Sequence, residues 1–272
     1  MIQYPHCKIN LGLSIVAKRA DGFHDLETVF YPVALKDILE ITPAKNNQAT
    51  TFSNSGLVIP GDANNNLCLK AYHLLKADFP SLPEVQMHLH KIIPMGAGLG
   101  GGSSDGTSAL KILNTLFEIG LSQEQLIIYA EKLGSDCPYF LFDTPCHATG
   151  KGELLSPIEC NLSNYTIVLL HPGIHIATPW AFQQITPCKK DKLISTIIQQ
   201  PISTWKQELI NDFEAPVIHA HPIIGALKND LYHQGAIYAS MSGSGSSLFG
   251  IYEKNKKYQT SDLTNNIRID TI

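Results

Sequence analysis

One segment constrains this chain more than any other: Pro94-Met95-Gly96-Ala97-Gly98-Leu99-Gly100-Gly101-Gly102-Ser103-Ser104, with five glycines in the seven positions 96–102. Each glycine gives up more backbone freedom on folding than any other residue, so such a run in a structured chain needs a use. Ahead of it, Val85, Met87 and Leu89 alternate with polar residues, which predicts a strand over 85–93. Behind it, Ala109, Leu110, Leu113, Leu116 and Phe117 fall on one face, which predicts a helix over about 104–117. A glycine turn leading from strand to helix lets backbone N–H groups converge on an anion at the helix N-terminus, a natural cradle for phosphate. Ser103 and Ser104 can cap that helix, donate to the phosphate, or ligate Mg²⁺. A flexible linker is the competing reading, and the structure-forming segments on both sides argue against it.

Three nucleotide motifs fail in this setting. Gly96-x-Gly98-x-x-Gly101 matches the dinucleotide fingerprint, but that fold needs a parallel strand after the helix and an acidic residue about 20 positions on. Glu118 has that spacing but ends a helix, and a second helix follows. A Walker loop closes on G-K-[ST], whereas Gly102 is followed by Ser103. A protein-kinase loop would run into a strand and bring H-R-D and D-F-G, neither of which occurs.

The rest of the pattern predicts an α+β chain. Ile9, Leu11, Leu13 and Ile15 alternate along a strand at 8–16, Asp21-Gly22 marks a hairpin turn, and further strands are expected at 28–35 and 38–42. Residues 46–66 read as loop with one short strand, and 67–77 as helix. Ser122 opens the next helix with a capping box to Gln125, and Gly134 stops it. Later come a strand at 165–171, helices near 179–185, 193–199 and 221–234, and strands at 236–240 and 248–252. Strands first, then strand, loop, helix and helix, point away from repeated βαβ units. A composition shift near 150–160 places a domain boundary, giving domains 1–155 and 156–272.

Composition narrows the function. The chain is 44% hydrophobic, which supplies a core, and its net charge of −4 argues against a nucleic-acid partner or an anionic membrane. A phosphorylated ligand would therefore need a local positive site. Apolar runs such as 167–170 are strand-sized, so no membrane span is expected. Asn10 and Ser14 interrupt the first apolar segment and Lys18 and Arg19 follow it, so no secretory leader is expected and the cytoplasm is. The six cysteines form no C-x-x-C and the eleven histidines no H-E-x-x-H. His88 and His90 share a strand face without a third ligand, so no metal ligand is assigned to the protein.

Transfer of a phosphoryl group to an alcohol needs positioning, charge neutralisation and a proton acceptor. Gly134-Ser135-Asp136-Cys137-Pro138 offers a carboxylate on a sharp turn. Alone, Asp136 is more often an Asx-turn or helix cap before a proline, and Lys8 is ordinarily a solvent-facing charge. The loop at 94–104, however, resembles the phosphate loop of the galactokinase, homoserine kinase, mevalonate kinase and phosphomevalonate kinase (GHMP) superfamily. Lys8-Ile9-Asn10-Leu11 followed by Arg19-Ala20-Asp21-Gly22-Phe23-His24 is similar to the 4-diphosphocytidyl-2-C-methyl-D-erythritol kinase family within it, and the resemblance runs from residue 8 to about 252.

The resemblance implies a two-domain GHMP-kinase-like α+β architecture with the active site in the cleft between domains. It implies ATP-dependent phosphorylation of the 2-hydroxyl of 4-diphosphocytidyl-2-C-methyl-D-erythritol, with a homoserine- or mevalonate-type kinase as the alternative. A nucleotide-binding regulatory protein that lost catalysis is the competing class. Lys8 and Asp136 would be the catalytic pair, Asn10 would contact the substrate, and Asn66 and Lys91 would lie beside the ATP base. Phe23 and Phe182 would sandwich the cytosine, with His24 reading its edge and Thr178 beside it; spacing alone makes Phe182 equally a helix-core residue. The Ser-Gly run at 242–247 resembles the superfamily's third motif, which supports the phosphate loop. Mg²⁺ would be held mainly by the phosphates, and the chain would be a monomer or homodimer with a small-molecule substrate. The family usually carries tyrosine where Phe23 stands, and Gly106 is expected to weaken the first turn of the loop's helix.

Overall fold

The computed structural model describes residues 1–45, 48–254, 256, 258–260, 263 and 268–272. The loop expected over 46–66 starts on two residues that lie outside them. In chain order the strands and helices are β1 (Ile2–Gln3), β2 (His6–Lys18), β3 (His24–Lys36), β4 (Ile38–Pro43), β5 (Thr51–Gly56), α1 (Leu67–Asp78), β6 (Val85–Lys91), α2 (Gly101–Leu116) and α3 (Gln123–Leu133). A 3-10 turn (Cys137–Leu141) precedes β7 (Cys146–Thr149), β8 (Leu154–Pro157), β9 (Tyr165–His171), α4 (Thr178–Gln183), α5 (Ile194–Ile197) and α6 (Ile202–Glu208). Then follow α7 (Glu214–Ala220), α8 (Pro222–His233), β10 (Tyr238–Met241), β11 (Leu248–Glu253) and β12 (Arg268–Thr271).

These elements form two compact units built from interleaved segments. The first comprises Met1–Cys7, Ala34–Met95 and Gly100–Asp143. Its sheet has the order β1-β4-β6-β5, antiparallel except for the β5–β6 pair. Val85, Met87 and Leu89 of β6 point inward as their alternation requires, and they meet Cys68, Tyr72 and Leu75 of α1 and Ala109, Leu110 and Leu113 of α2 in one core. The capping box expected at Ser122 and Gln125 forms, and the Gly134 N–H closes the end of α3.

The second unit comprises Lys8–Val33, Gly96–Leu99 and Thr144–Ile272. One sheet has the order β2-β3-β7-β8 and the other β10-β11-β9-β12. Leu13 and Ile15 of β2 join Val168 and Leu170 of β9 and Leu227 and Leu231 of α8 in its core. The Asp21-Gly22 turn connects β2 to β3 as expected, with Arg19 N–H bonded to the Phe23 carbonyl.

Two expectations about the glycine segment's helix need correction. It starts at Gly101 rather than 104, with Gly100 as N-cap at φ +70° and no side-chain cap, so Ser103 and Ser104 lie inside the helix. Gly106 therefore lies in the second turn, not the first, and it is also a packing contact: a Cβ there would stand 2.7 Å from Leu67 Cβ, so its absence lets α1 and α2 close.

Candidate active site

In the first unit, the N-terminal turn of α2 presents its helix end with no side chain spent on it. The first N–H groups of a helix lack intrahelical acceptors, and the peptide dipoles add partial positive charge there. Gly101 is required by its surroundings: a Cβ would come within 2.8 Å of Ile93 Cγ2 and 3.0 Å of Lys91 Nζ. Asn66 is the N-cap of α1, its Oδ1 accepting from Cys68 N–H at 2.8 Å, which fixes its side chain at that helix start. Lys91, expected beside the ATP base, is enclosed: Nζ donates to Asp37 Oδ2 at 2.5 Å and to Asp105 Oδ2 at 2.7 Å, and the side chain is 0% exposed. Its inward position continues the alternation of Val85, Met87 and Leu89.

Asp136 stands at the entry of the 3-10 turn without a capping hydrogen bond from its side chain. That turn is fixed to α2, because Thr107 Oγ1 donates to the Cys137 carbonyl at 2.8 Å. Burial pushes the Cys137 thiol up to about 12, so it stays protonated and inert next to the carboxylate.

In the second unit, Lys8 and Asn10 project from one side of β2 and are 3% and 1% exposed. Lys8 Nζ donates to Asn10 Oδ1 at 2.7 Å and sits 4.7 Å from the Phe30 ring centroid. Asn10 Nδ2 donates to Thr28 Oγ1 at 3.0 Å, and Thr28 Oγ1 donates to the Gly12 carbonyl at 2.5 Å. This chain of bonds leaves one amide orientation, with oxygen toward the lysine. Residues 96–99 are strung between neighbours of the same unit. Lys8 N–H bonds the Leu99 carbonyl at 2.9 Å, Ser247 N–H the Ala97 carbonyl at 3.2 Å, and Ser242 Oγ the Gly98 carbonyl at 2.7 Å. The Ser-Gly segment is held in turn by Asn211, whose Nδ2 donates to the carbonyls of Met241 and Gly243 at 2.7 and 2.9 Å.

Phe182 stacks on His24, with centroids 4.8 Å apart and planes 17° apart. Phe23 is 55% exposed and carries Lys151 Nζ 5.0 Å from its centroid. Phe182 also meets Phe213 edge to face, so it packs against the core of this unit while forming one wall of the His24 stack. Thr178 Oγ1 lies 3.1 Å from Ser244 Oγ. Asn211, His175 beside Gly96, and the Asp37 and Asp105 partners of Lys91 went unread in the sequence. Of these only the burial of Lys91 left a signal, in the strand alternation.

The families described as GHMP kinases N terminal domain and GHMP kinases C terminal match residues 66–144 and 200–261. A 4-diphosphocytidyl-2-C-methyl-D-erythritol kinase of Bacteroides thetaiotaomicron is 47% identical over 268 residues, 98% of this chain and 97% of that protein. The chain belongs to the 4-diphosphocytidyl-2-C-methyl-D-erythritol kinase family. A second member, from Cytophaga hutchinsonii, is 49% identical over 270 residues, 98% of each chain. The crystal structure of a 4-(cytidine 5'-diphospho)-2C-methyl-D-erythritol kinase is similar at a TM-score of 0.79 and 30% identity, covering 92% of this chain and 90% of that one. A homoserine kinase from Cytophaga hutchinsonii shares the fold at a TM-score of 0.66 and 15% identity, covering 98% and 94%.

As a member of this kinase family the chain is a phosphotransferase with ATP as phosphate donor. The start of α2 fits a phosphate group: no side chain caps it, and Gly101 leaves no room for a Cβ beside Ile93 and Lys91. Among the described residues no cluster of three or more His, Cys, Asp or Glu could hold a metal ion, and no helix is long and apolar enough to cross a membrane.

Proposed function

We propose that this kinase phosphorylates the 2-hydroxyl of 4-diphosphocytidyl-2-C-methyl-D-erythritol in the non-mevalonate route to isoprenoids. One observation carries the choice of substrate: relatives bearing that name match at 47% and 49% identity over 98% of the chain. Homoserine and mevalonate kinases, at 15% and 12%, support the fold alone.

ATP supplies the γ-phosphoryl group when bound. In this reading Pro94, Met95, Gly96, Ala97, Gly98, Leu99 and Gly100 shape the phosphate cradle. Gly101, Gly102, Ser103 and Ser104 bring the helix N–H groups to it, and Asn66 borders the base. Asp136 accepts the proton of the acceptor hydroxyl; its side chain makes no capping hydrogen bond in the 3-10 turn. The Lys8 ammonium, oriented by Asn10, stabilises the negative charge that builds on the acceptor oxygen. Asn10 also borders the substrate. His24 and Phe182 offer a stacked aromatic surface to the cytosine, with Phe23 and Thr178 at its margins. Mg²⁺ is assigned to the phosphates, its usual ligands in such sites.

The chain works on a small molecule, as a monomer or homodimer, without nucleic acid or membrane. A cytoplasmic place suits its free cysteines, which a reducing compartment keeps as thiols. Phosphorus NMR of the product tests the reading. A new phosphomonoester on the tertiary carbon with the diphosphate intact is expected; ADP release without a new ester would refute it.

A further inference from the structure

Lys91 ends β6, Asp37 occupies the single position between β3 and β4, and Asp105 lies in the second turn of α2. All three belong to the first unit, and their side chains are at most 4% exposed. Asp37 uses both oxygens: Oδ2 accepts from Lys91, while Oδ1 accepts from Ile92 N–H at 2.5 Å and Ile93 N–H at 2.8 Å. It therefore grips the two residues that lead into Pro94. Asp105 Oδ2 accepts from the same ammonium at 2.7 Å, on the helix that the glycine segment enters. The two stems of the loop are thus tied to one cation, and Gly101 packs against that cation and Ile93 with no room for a methyl group.

Such an arrangement is costly for stability alone, because three ionisable groups are taken out of water and one carboxylate has no cation of its own. Burial pushes the Asp105 carboxyl up to about 8, against the pull of Lys91, and its Oδ1 is buried without a partner among the described residues. The Cys68 thiol of α1 also faces the cluster, and burial holds it protonated.

We propose that Asp37, Lys91 and Asp105 are positioning residues that set the first turn of α2 against the end of β6, and so aim the phosphate-facing N–H groups. On this account Lys91 acts through the loop instead of touching the base. The proposal rests on the reading of residues 94–104 as the ATP phosphate loop.

Asp105→Asn keeps the shape and an acceptor oxygen for Lys91 but removes the carboxylate charge, so it is assayed at about pH 9, where that charge is present, and it is the decisive variant because Lys91→Met can fail to fold. Steady-state kinetics with each substrate varied in turn should show KM for ATP raised about tenfold or more, with KM for the alcohol within about twofold of wild type. Amide exchange should be faster at Gly101, Gly102 and Ser103 in that variant, and ATP should protect them less. Equal KM for ATP in variant and wild type, with ATP binding intact in both, would overturn the positioning role alone. Parallel rises in both KM values would do the same, since a loosened fold affects both. A wild-type chain that binds no ATP would sink the loop reading and this inference together.

Discussion

Ser242 Oγ donates to the carbonyl oxygen of Gly98 at 2.7 Å. The bond ties the middle of the glycine loop to the Ser-Gly segment far along the chain, and it leaves Gly98 at φ +77° pressed against that segment. A Cβ on residue 98 would fall 2.0 Å from the Ser242 carbonyl oxygen.

Gly98→Ala should therefore cost about 2–4 kcal/mol through backbone strain and overpacking, and lose most phosphoryl transfer. Ser242→Ala removes only the hydroxyl and should cost about 1–2 kcal/mol. Chemical denaturation of both variants checks the order; a Gly98→Ala variant as stable as wild type would contradict it.

Asp136→Ala should lower kcat by about 10²–10⁴ while leaving the melting temperature within about 2 °C, because the carboxylate caps nothing in the 3-10 turn. Thermal melting beside single-turnover assays separates the two effects. A large drop in melting temperature with kcat retained would return Asp136 to a structural role.

Phe182→Ala removes the partner of His24 and one edge of the contact with Phe213. KM for the cytidine substrate should rise about tenfold, with KM for ATP little changed. Stability should fall as well, through the lost contact with Phe213, so Phe182→Leu serves as the packing control. Unaltered KM in both variants would remove the stack from the substrate surface.

The Asp105 carboxyl gives a pH signature with a definite sign. Burial raises its folded pKa to about 8, above the usual carboxylate value, so between about pH 4 and 8 the folded chain binds more protons than the unfolded one. Stability of wild type relative to Asp105→Asn should then fall as pH rises through that window and level off above it. Urea unfolding at about pH 5 and 7, inside the window, and about pH 9, above it, measures it. A difference that grows with pH would contradict the assignment.

Much of this fold was legible because local rules and packing agree. The alternation of β2, the Asp21-Gly22 turn and the capping box at Ser122 each carry their own signal. The start of α2 did not, because glycine is a poor helix former and only the close approach of Ile93 and Lys91 to Gly101 explains a helix there. Helices α6 and α7 escaped notice: neither has a side-chain N-cap, and Pro216 sits inside α7. Strands β7 and β8 are four residues each; β7 depends on pairing with distant β3, and β8 on pairing with β7. The interleaving of the units follows from such long-range pairing too. Of the candidate site, the glycine loop is legible as a motif, whereas Lys8, Asn10 and Asp136 are marked by the family resemblance. The commitment of Phe182 to His24, and of Lys91 to two carboxylates, depends on side chains brought together from remote segments.

The specificity constant for ADP release tests the central claim most directly, measured with 4-diphosphocytidyl-2-C-methyl-D-erythritol, mevalonate, homoserine and galactose in parallel. The account predicts that kcat/KM for the cytidine substrate exceeds each of the others by at least about 10³, as expected where buried polar groups go unpaired with the wrong ligand. Equal or better turnover of any of the other three would contradict it.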